Sequence, residues 1–178
     1  MVLFLLFIKA DFENIGSVSL CKDRNLCVSV RNPLSDFETR EKVVFNPSET
    51  VEQEEGARQS PHHLSIKWEG NKKPCILECL DETAAKSALK KTKKKSNDVP
   101  RDLTEDDSGR WVPILAMECR GLEPYAFHVM GGEFVITSQG GKVFSEDVDL
   151  SEGDWAEYDD ENDAAVSLSN IEFKLESL

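Results

Sequence analysis

The sequence predicts an all-β chain. Helical periodicity rarely lasts beyond two turns, while short β-branched or aromatic runs recur with Gly, Pro, Asn or Asp between them. The first run, Val2–Phe12, opens with an unbroken apolar stretch from Val2 to Ile8. No Lys or Arg precedes that stretch, and Lys9, Asp11 and Glu13 follow it. No small-x-small cleavage pattern appears before Ala10. The stretch also falls short of the roughly 20 residues that span a bilayer. It reads as a buried strand, in a chain that is neither secreted nor membrane-bound. Further strands are expected at Leu26–Val30, Glu41–Phe45, His63–Trp68, Cys75–Leu80, Trp111–Arg120, Glu133–Thr137 and Ile171–Leu175. Turn signals separate them at Asn32-Pro33, Asn46-Pro47, Gly70-Asn71, Gly131-Gly132 and Gly140-Gly141.

A chain of 178 residues suits one domain, or two small halves that share a core. Asp and Glu number 34 against 21 Lys and Arg, a formal net charge of −13. Most of such a surface repels a phosphate backbone, which excludes whole-surface nucleic-acid binding and leaves only a local basic patch. Thr83–Ser108 is rich in Lys, Ser and Asp and reads as a flexible linker. The expected organisation is an N-terminal β half at 1–82, the Lys-rich loop or linker at 83–108, and a C-terminal β half at 109–178. A faint echo between Ile8–Ile15 and Glu118–Tyr125 fits two similar halves. Glu146–Asp163 reads as an acidic, solvated surface with Trp155 and Tyr158 as aromatic anchors.

Cys21, Cys27, Cys75, Cys79 and Cys119 form an odd set that suits a reducing compartment. No C-x-x-C pair occurs. Cys75 and Cys79 share one face of an expected strand about 13 Å apart, too far to bind one metal without a bend. They read as small buried hydrophobes. His62-His63 suggests a metal, but neighbours on a strand point to opposite faces, and a loop dipeptide is the simpler reading. Cys119 and His128 lack a marked acid or nucleophile partner, so Cys119 reads as a core position beside Leu122. Asp147–Asp163 lacks the alternating ligands, central Gly and terminal Glu of a calcium loop. P-loop, G-x-S-x-G and H-E-x-x-H patterns are absent. The chain is therefore expected to be no enzyme and to carry no cofactor. The run Lys90, Lys91, Lys93, Lys94 and Lys95 has three readings: a nuclear-localisation signal, a contact for phosphate or an acidic partner, or a solvated loop with no role.

Met117–Phe127 (MECRGLEPYAF), Phe144–Asp147 (FSED), Leu150, Asp154–Asp159 (DWAEYD) and Ile8–Ile15 (IKADFENI) give the chain a resemblance to a known family. It resembles the eukaryotic CXXC-motif-containing zinc-binding proteins over nearly its whole length, apart from the Lys-rich segment. The resemblance implies two related antiparallel β-sheets, packed as a sandwich or barrel-like single unit. It also implies one zinc ion held by two C-x-x-C pairs, a closed structural site. A gap-free count from Asp23 puts the first pair on Asn32-Pro33-Leu34-Ser35 and the second on Ile66-Lys67-Trp68-Glu69. The ligand positions Asn32, Ser35, Ile66 and Glu69 are then vacated, and no zinc is expected there.

Metal binding at a closed site is folding free energy, so something must replace it. Apolar packing of Leu64, Ile66 and Trp68, a turn held by Asn32-Pro33, or order gained from a partner would do so. In the partner case Leu34, Phe37 and Trp68 form an exposed apolar surface, with Trp155 and Tyr158 as further anchors of the kind interfaces favour. Packing of each ring onto its own sheet is the alternative. The expected function is a non-enzymatic protein-interaction module, an adaptor or complex subunit, nuclear or cytoplasmic, with a protein partner. Metal handling, or nucleic-acid association through the lysine run, are the alternatives.

Overall fold

The computed structural model describes residues 1–178 except 36, 54, 57, 58 and 94–96. In chain order the described strands are β1 (Val2–Glu13), β2 (Ile15–Leu20), β3 (Leu26–Arg31), β4 (Thr39–Phe45), β5 (Leu64–Ile66), β6 (Cys75–Leu80), β7 (Leu103–Thr104), β8 (Val112–Arg120), β9 (Glu123–His128), β10 (Phe134–Ser138), β11 (Val143–Phe144), β12 (Trp155–Asp159) and β13 (Ala164–Ser177). One helix, α1 (Glu82–Lys91), follows β6, and a short 3-10 turn spans Glu105–Asp107. The fold is all-β, as the sequence predicts. Its strands form three antiparallel sheets where two were expected: β12-β13-β1-β8-β6-β5, β11-β10-β2-β7 and β4-β3-β9. The third sheet is a short one, in which β3 pairs with both β4 and β9.

The unbroken apolar run of β1 follows from its place. It pairs with β13 on one side and β8 on the other, so neither edge meets water. Phe4, Leu6, Ile8 and Ala10 point into the main core. The alternate residues Leu3, Leu5 and Phe7 point to the opposite face, where Leu80, Ala85, Leu89 and Ala116 cover them. A strand buried on both faces needs apolar residues at every position, not at every second one. β2 leaves this sheet at Asn14, whose φ of 53° turns the chain toward β10.

The Lys-rich segment departs from the flexible loop expected for it. It opens as α1, which Asp81 caps by accepting from the Ala84 N–H at 2.7 Å. Ala85 and Leu89, one turn apart, are its buried residues and seat it over β1 and β8. Lys90 and Lys91 fill its last turn, where cations suit the helix dipole. The end of the segment is tied down as well. Buried Asp107 receives the Arg101 guanidinium at 2.7 and 2.8 Å and the Thr104 N–H at 2.7 Å. The Gly109 N–H reaches the Ala10 carbonyl at 2.8 Å. The two halves share one sheet, because β1 of the first pairs with β8 and β13 of the second. No helix among the described residues is long and apolar enough to cross a membrane.

Gly121 has a φ of 76°, and a Cβ added there would lie 2.4 Å from the Cys75 Sγ. Gly121→Ala should cost about 2 kcal/mol or more in urea unfolding, and an unchanged midpoint would refute the close approach. The Arg101 pair holds the Asp107 carboxyl well below the usual carboxylate range, helped by the Thr104 bonds. A carboxylate depressed in the folded state stabilises above about pH 4 and loses that contribution as pH falls through its folded value. Asp107→Asn should therefore be less stable than wild type by roughly 1–2 kcal/mol at pH 7, with the gap narrowing toward pH 2.

Candidate interaction surface

The hairpin from β3 to β4 carries the first predicted ligand pair. The Asn32 N–H donates to the Glu38 carbonyl at 2.9 Å and so closes the loop. The Asn32 Oδ1 accepts from the Leu34 N–H at 3.0 Å, and the Ser35 N–H donates to the Asn32 carbonyl at 3.2 Å. Asn at the start of a tight turn with Pro next suits both bonds, since its side chain mimics a backbone turn and Pro pre-sets φ. The buried Asn32 amide also donates to the Glu38 Oε1 at 3.3 Å. This clamp leaves Leu34 91% exposed and Phe37 95% exposed, the exposed one of the two readings.

The second predicted pair lies at the end of β5. Ile66 is buried and Glu69 is exposed. Trp68 corrects the expectation of an exposed ring: it is only 1% exposed. Its indole N–H donates to the Gly121 carbonyl at 2.8 Å, which an exposed ring would forgo. The Arg40 guanidinium lies 5.4 Å from the centre of the same ring, so β4 and the chain after β5 meet there. Arg40, Glu38 and Gly121 were not singled out from the sequence. Only the tertiary fold brings Arg40 to Trp68, although the cation and the ring are both visible in the chain.

As a donor set for zinc these positions do not fit. Ile66 offers no ligand, the Asn32 Oδ1 is taken by Leu34, and no thiolate is present among the four. Cys75, Leu77 and Cys79 alternate along β6, and Cys119 faces Leu77 across β8. The three thiols thus share the core-facing side of the sheet. Burial pushes Cys79 up to about 12 and raises Cys119 further, which disfavours the thiolate that a metal needs. The two histidines are engaged separately. The His62 Nδ1–H donates to the Ser60 carbonyl at 3.0 Å, while the His63 Nδ1 accepts from the Cys79 N–H at 2.8 Å. Burial lowers the His63 pKa, which keeps it the neutral acceptor. Among the described residues no group of three His, Cys, Asp or Glu side chains is placed to hold a metal ion. His128 bonds the Ser29 Oγ at 2.7 Å, away from Cys119.

The acidic segment is also more ordered than a solvated surface. Trp155 begins β12, is 8% exposed, and meets the Phe144 ring edge-on at 5.3 Å. This corrects its reading as a surface anchor: the local-packing alternative holds for Trp155. Tyr158 is half exposed and bonds Asp163. Buried Asp159 accepts from the Ser138 hydroxyl at 2.6 Å and from the N–H groups of Glu161 and Asn162. In CRGLEP, Gly121 gives the close turn against Cys75, Leu122 is buried, and Glu123 pairs with Arg31 at 3.0 Å. The segments that carry the resemblance thus hold turns and sheets together. Of the lysine run, Lys90, Lys91 and Lys93 are exposed, and Lys94 and Lys95 lie outside the described residues.

The family described as CXXC motif containing zinc binding protein, eukaryotic, matches residues 5–176. The UPF0587 protein CG4646 of Drosophila melanogaster is 46% identical over 65 residues, 36% of this chain and 39% of its own length. The CXXC motif containing zinc binding protein of Homo sapiens is 33% identical over 66 residues, 37% of this chain and 41% of that protein. These alignments span about two-fifths of the curated relatives' length. Two solved structures share the fold from end to end. A hypothetical protein from Plasmodium falciparum has a TM-score of 0.80 at 23% identity, covering 99% of this chain and 100% of that one. C1orf123 has a TM-score of 0.79 at 20% identity, covering 99% of each chain. With the same architecture and a match that runs nearly from end to end, the chain belongs to the eukaryotic CXXC motif containing zinc binding protein family.

Proposed function

We propose that this family member is a non-enzymatic protein-interaction module, an adaptor or complex subunit, that has given up the family's zinc. Its β3–β4 turn presents Leu34 and Phe37 to an apolar pocket on a protein partner. The near-complete exposure of those two side chains on a clamped turn carries the reading. Each gains roughly 1.5–3 kcal/mol when a partner covers it, and the pinned backbone lowers the ordering cost of docking. The Asn32 turn and the Arg40–Trp68 contact do locally what a closed metal site would otherwise do, joining the two loops without an ion. All five cysteines are free thiols. That suits action in the nucleus or cytoplasm, where thiols stay reduced. The exposed Lys90, Lys91 and Lys93 suit a nuclear-localisation signal, and no further observation favours nucleic acid as their target.

A tagged wild-type chain should retain a stoichiometric partner in a pull-down, and a Leu34→Ala, Phe37→Ala double variant should lose it. Thermal stability should change little, because both side chains are already in water. Retention by the double variant would defeat the proposal. So would zinc near one ion per chain in protein purified without added metal.

The replacement of the ion makes a separate prediction. Trp68→Phe keeps most of the ring but removes the N–H that satisfies the Gly121 carbonyl. It should cost about 1–2 kcal/mol in chemical unfolding, and a neutral result would remove Trp68 from the list of supports.

A further inference from the structure

The outer face of the six-stranded sheet is covered unequally. In the rows set by strand register, Leu80 and Ala116 lie under α1, and Ser65, Ile76 and Arg120 line up at the other end. Beyond the reach of α1 that end opens into a concavity of about 720 Å³. Lys67, Lys72, Lys73 and Arg120 all line it. They come from just after β5, the loop before β6 and the end of β8, which the pairing of β5, β6 and β8 brings to one end of the sheet. All four are exposed. The ion pairs among the described residues engage Lys9, Arg31, Lys86, Arg101, Lys142 and Lys174, and none of these four. Glu52 is the one carboxylate in the lining among the described residues.

His62 adds an independent observation. It is 2% exposed and lines the same concavity. Its Nδ1 is spent on the Ser60 carbonyl, and its Nε2 hydrogen-bonds to none of the described residues. The lining also offers the Gln53 and Gln59 amides and the Ser65 hydroxyl. Four cations and neutral polar groups, against the one described carboxylate of Glu52, make a set suited to several anionic oxygens.

We infer that this concavity binds a small molecule carrying two or more phosphate groups. The volume falls within the roughly 300–1,000 Å³ of small-molecule sites. A chain with a net charge of −13 that gathers four cations around one described carboxylate in a hollow gives a multiply charged anion a local well of positive potential. A polymer of phosphates would need a continuous basic track. Here Glu69 lies beyond Lys67, and the next row of the sheet is the facing pair Glu78 and Glu118. The ligand is therefore compact, and its charge is held by lysines as point contacts and by Arg120 as a fork.

The test is calorimetric titration of the full chain with sodium tripolyphosphate. Saturable binding of one molecule per chain is expected, with sulfate binding more weakly. Lys72→Gln with Lys73→Gln should weaken tripolyphosphate binding at least about tenfold, as the loss of two charge-assisted contacts implies. Lys90→Gln with Lys91→Gln, on α1, should leave it unchanged. Lys67→Gln gives the same comparison from a separate segment if the double variant fails to fold. The inference is overturned by an absence of saturable binding, by equal affinity for sulfate, or by loss of binding in the α1 variant. Binding of a single-stranded oligonucleotide in preference to tripolyphosphate would overturn it as well.

Discussion

The two-sided pairing of β1 is the constraint on which the rest of the structure depends. Because β8 and β13 hydrogen-bond to its two edges, residues near the two ends of the chain are committed to one sheet. Its two faces then organise two cores. One receives Phe4, Leu6 and Ile8 and extends to sheets that carry β2, β3 and β10. The other is the smaller layer under α1. Removing that strand would separate the halves and uncover both cores at once.

From that scaffold the surface features follow as consequences of register. β8 ends at Arg120, and the turn after it places the Gly121 carbonyl where the Trp68 indole can reach it. The same alignment of β5, β6 and β8 carries Arg120 toward the lysines around residue 70. α1 covers one end of the outer face only, since Leu89 is its last buried residue. What the helix leaves bare is the polar, basic end. The clamped turn at Asn32 and the basic hollow thus sit on one framework while offering different chemistry, apolar in one case and cationic in the other.

The segments on which the family resemblance was read largely hold this framework. Trp155 packs on Phe144, Asp159 caps a turn, and Gly121 permits a close approach to Cys75. A burial-and-capping role explains why such residues read as specific motifs without forming a reactive cluster. The positions that the resemblance assigns to zinc are a different matter: Asn32, Ser35, Ile66 and Glu69 bring no thiolate, and the hairpin is held by hydrogen bonds of Asn32.

Much of this was legible in the chain. Alternation and apolar runs revealed the strands at Val2, Leu26, Cys75 and Trp111, because the side-chain period of a strand is local information. α1 was missed although Asp81, the alanines and the one-turn spacing of Ala85 and Leu89 signal it; the lysines around them mask the short apolar stripe. β12 was missed because three of its five residues are exposed and it lies inside an acidic segment, and pairing with β13 makes it a strand. By itself the sequence determined the all-β class, the buried strand β1 and the Asn32-Pro33 turn, and left exposed and packed readings of Leu34 and Phe37 both open. Only the tertiary structure decided that Trp68 is buried against a carbonyl 53 residues away, and that Lys67, Lys72, Lys73 and Arg120 ring one hollow. Local patterns state which face a residue prefers, whereas the partners across strands are set by register, which the whole sheet determines together.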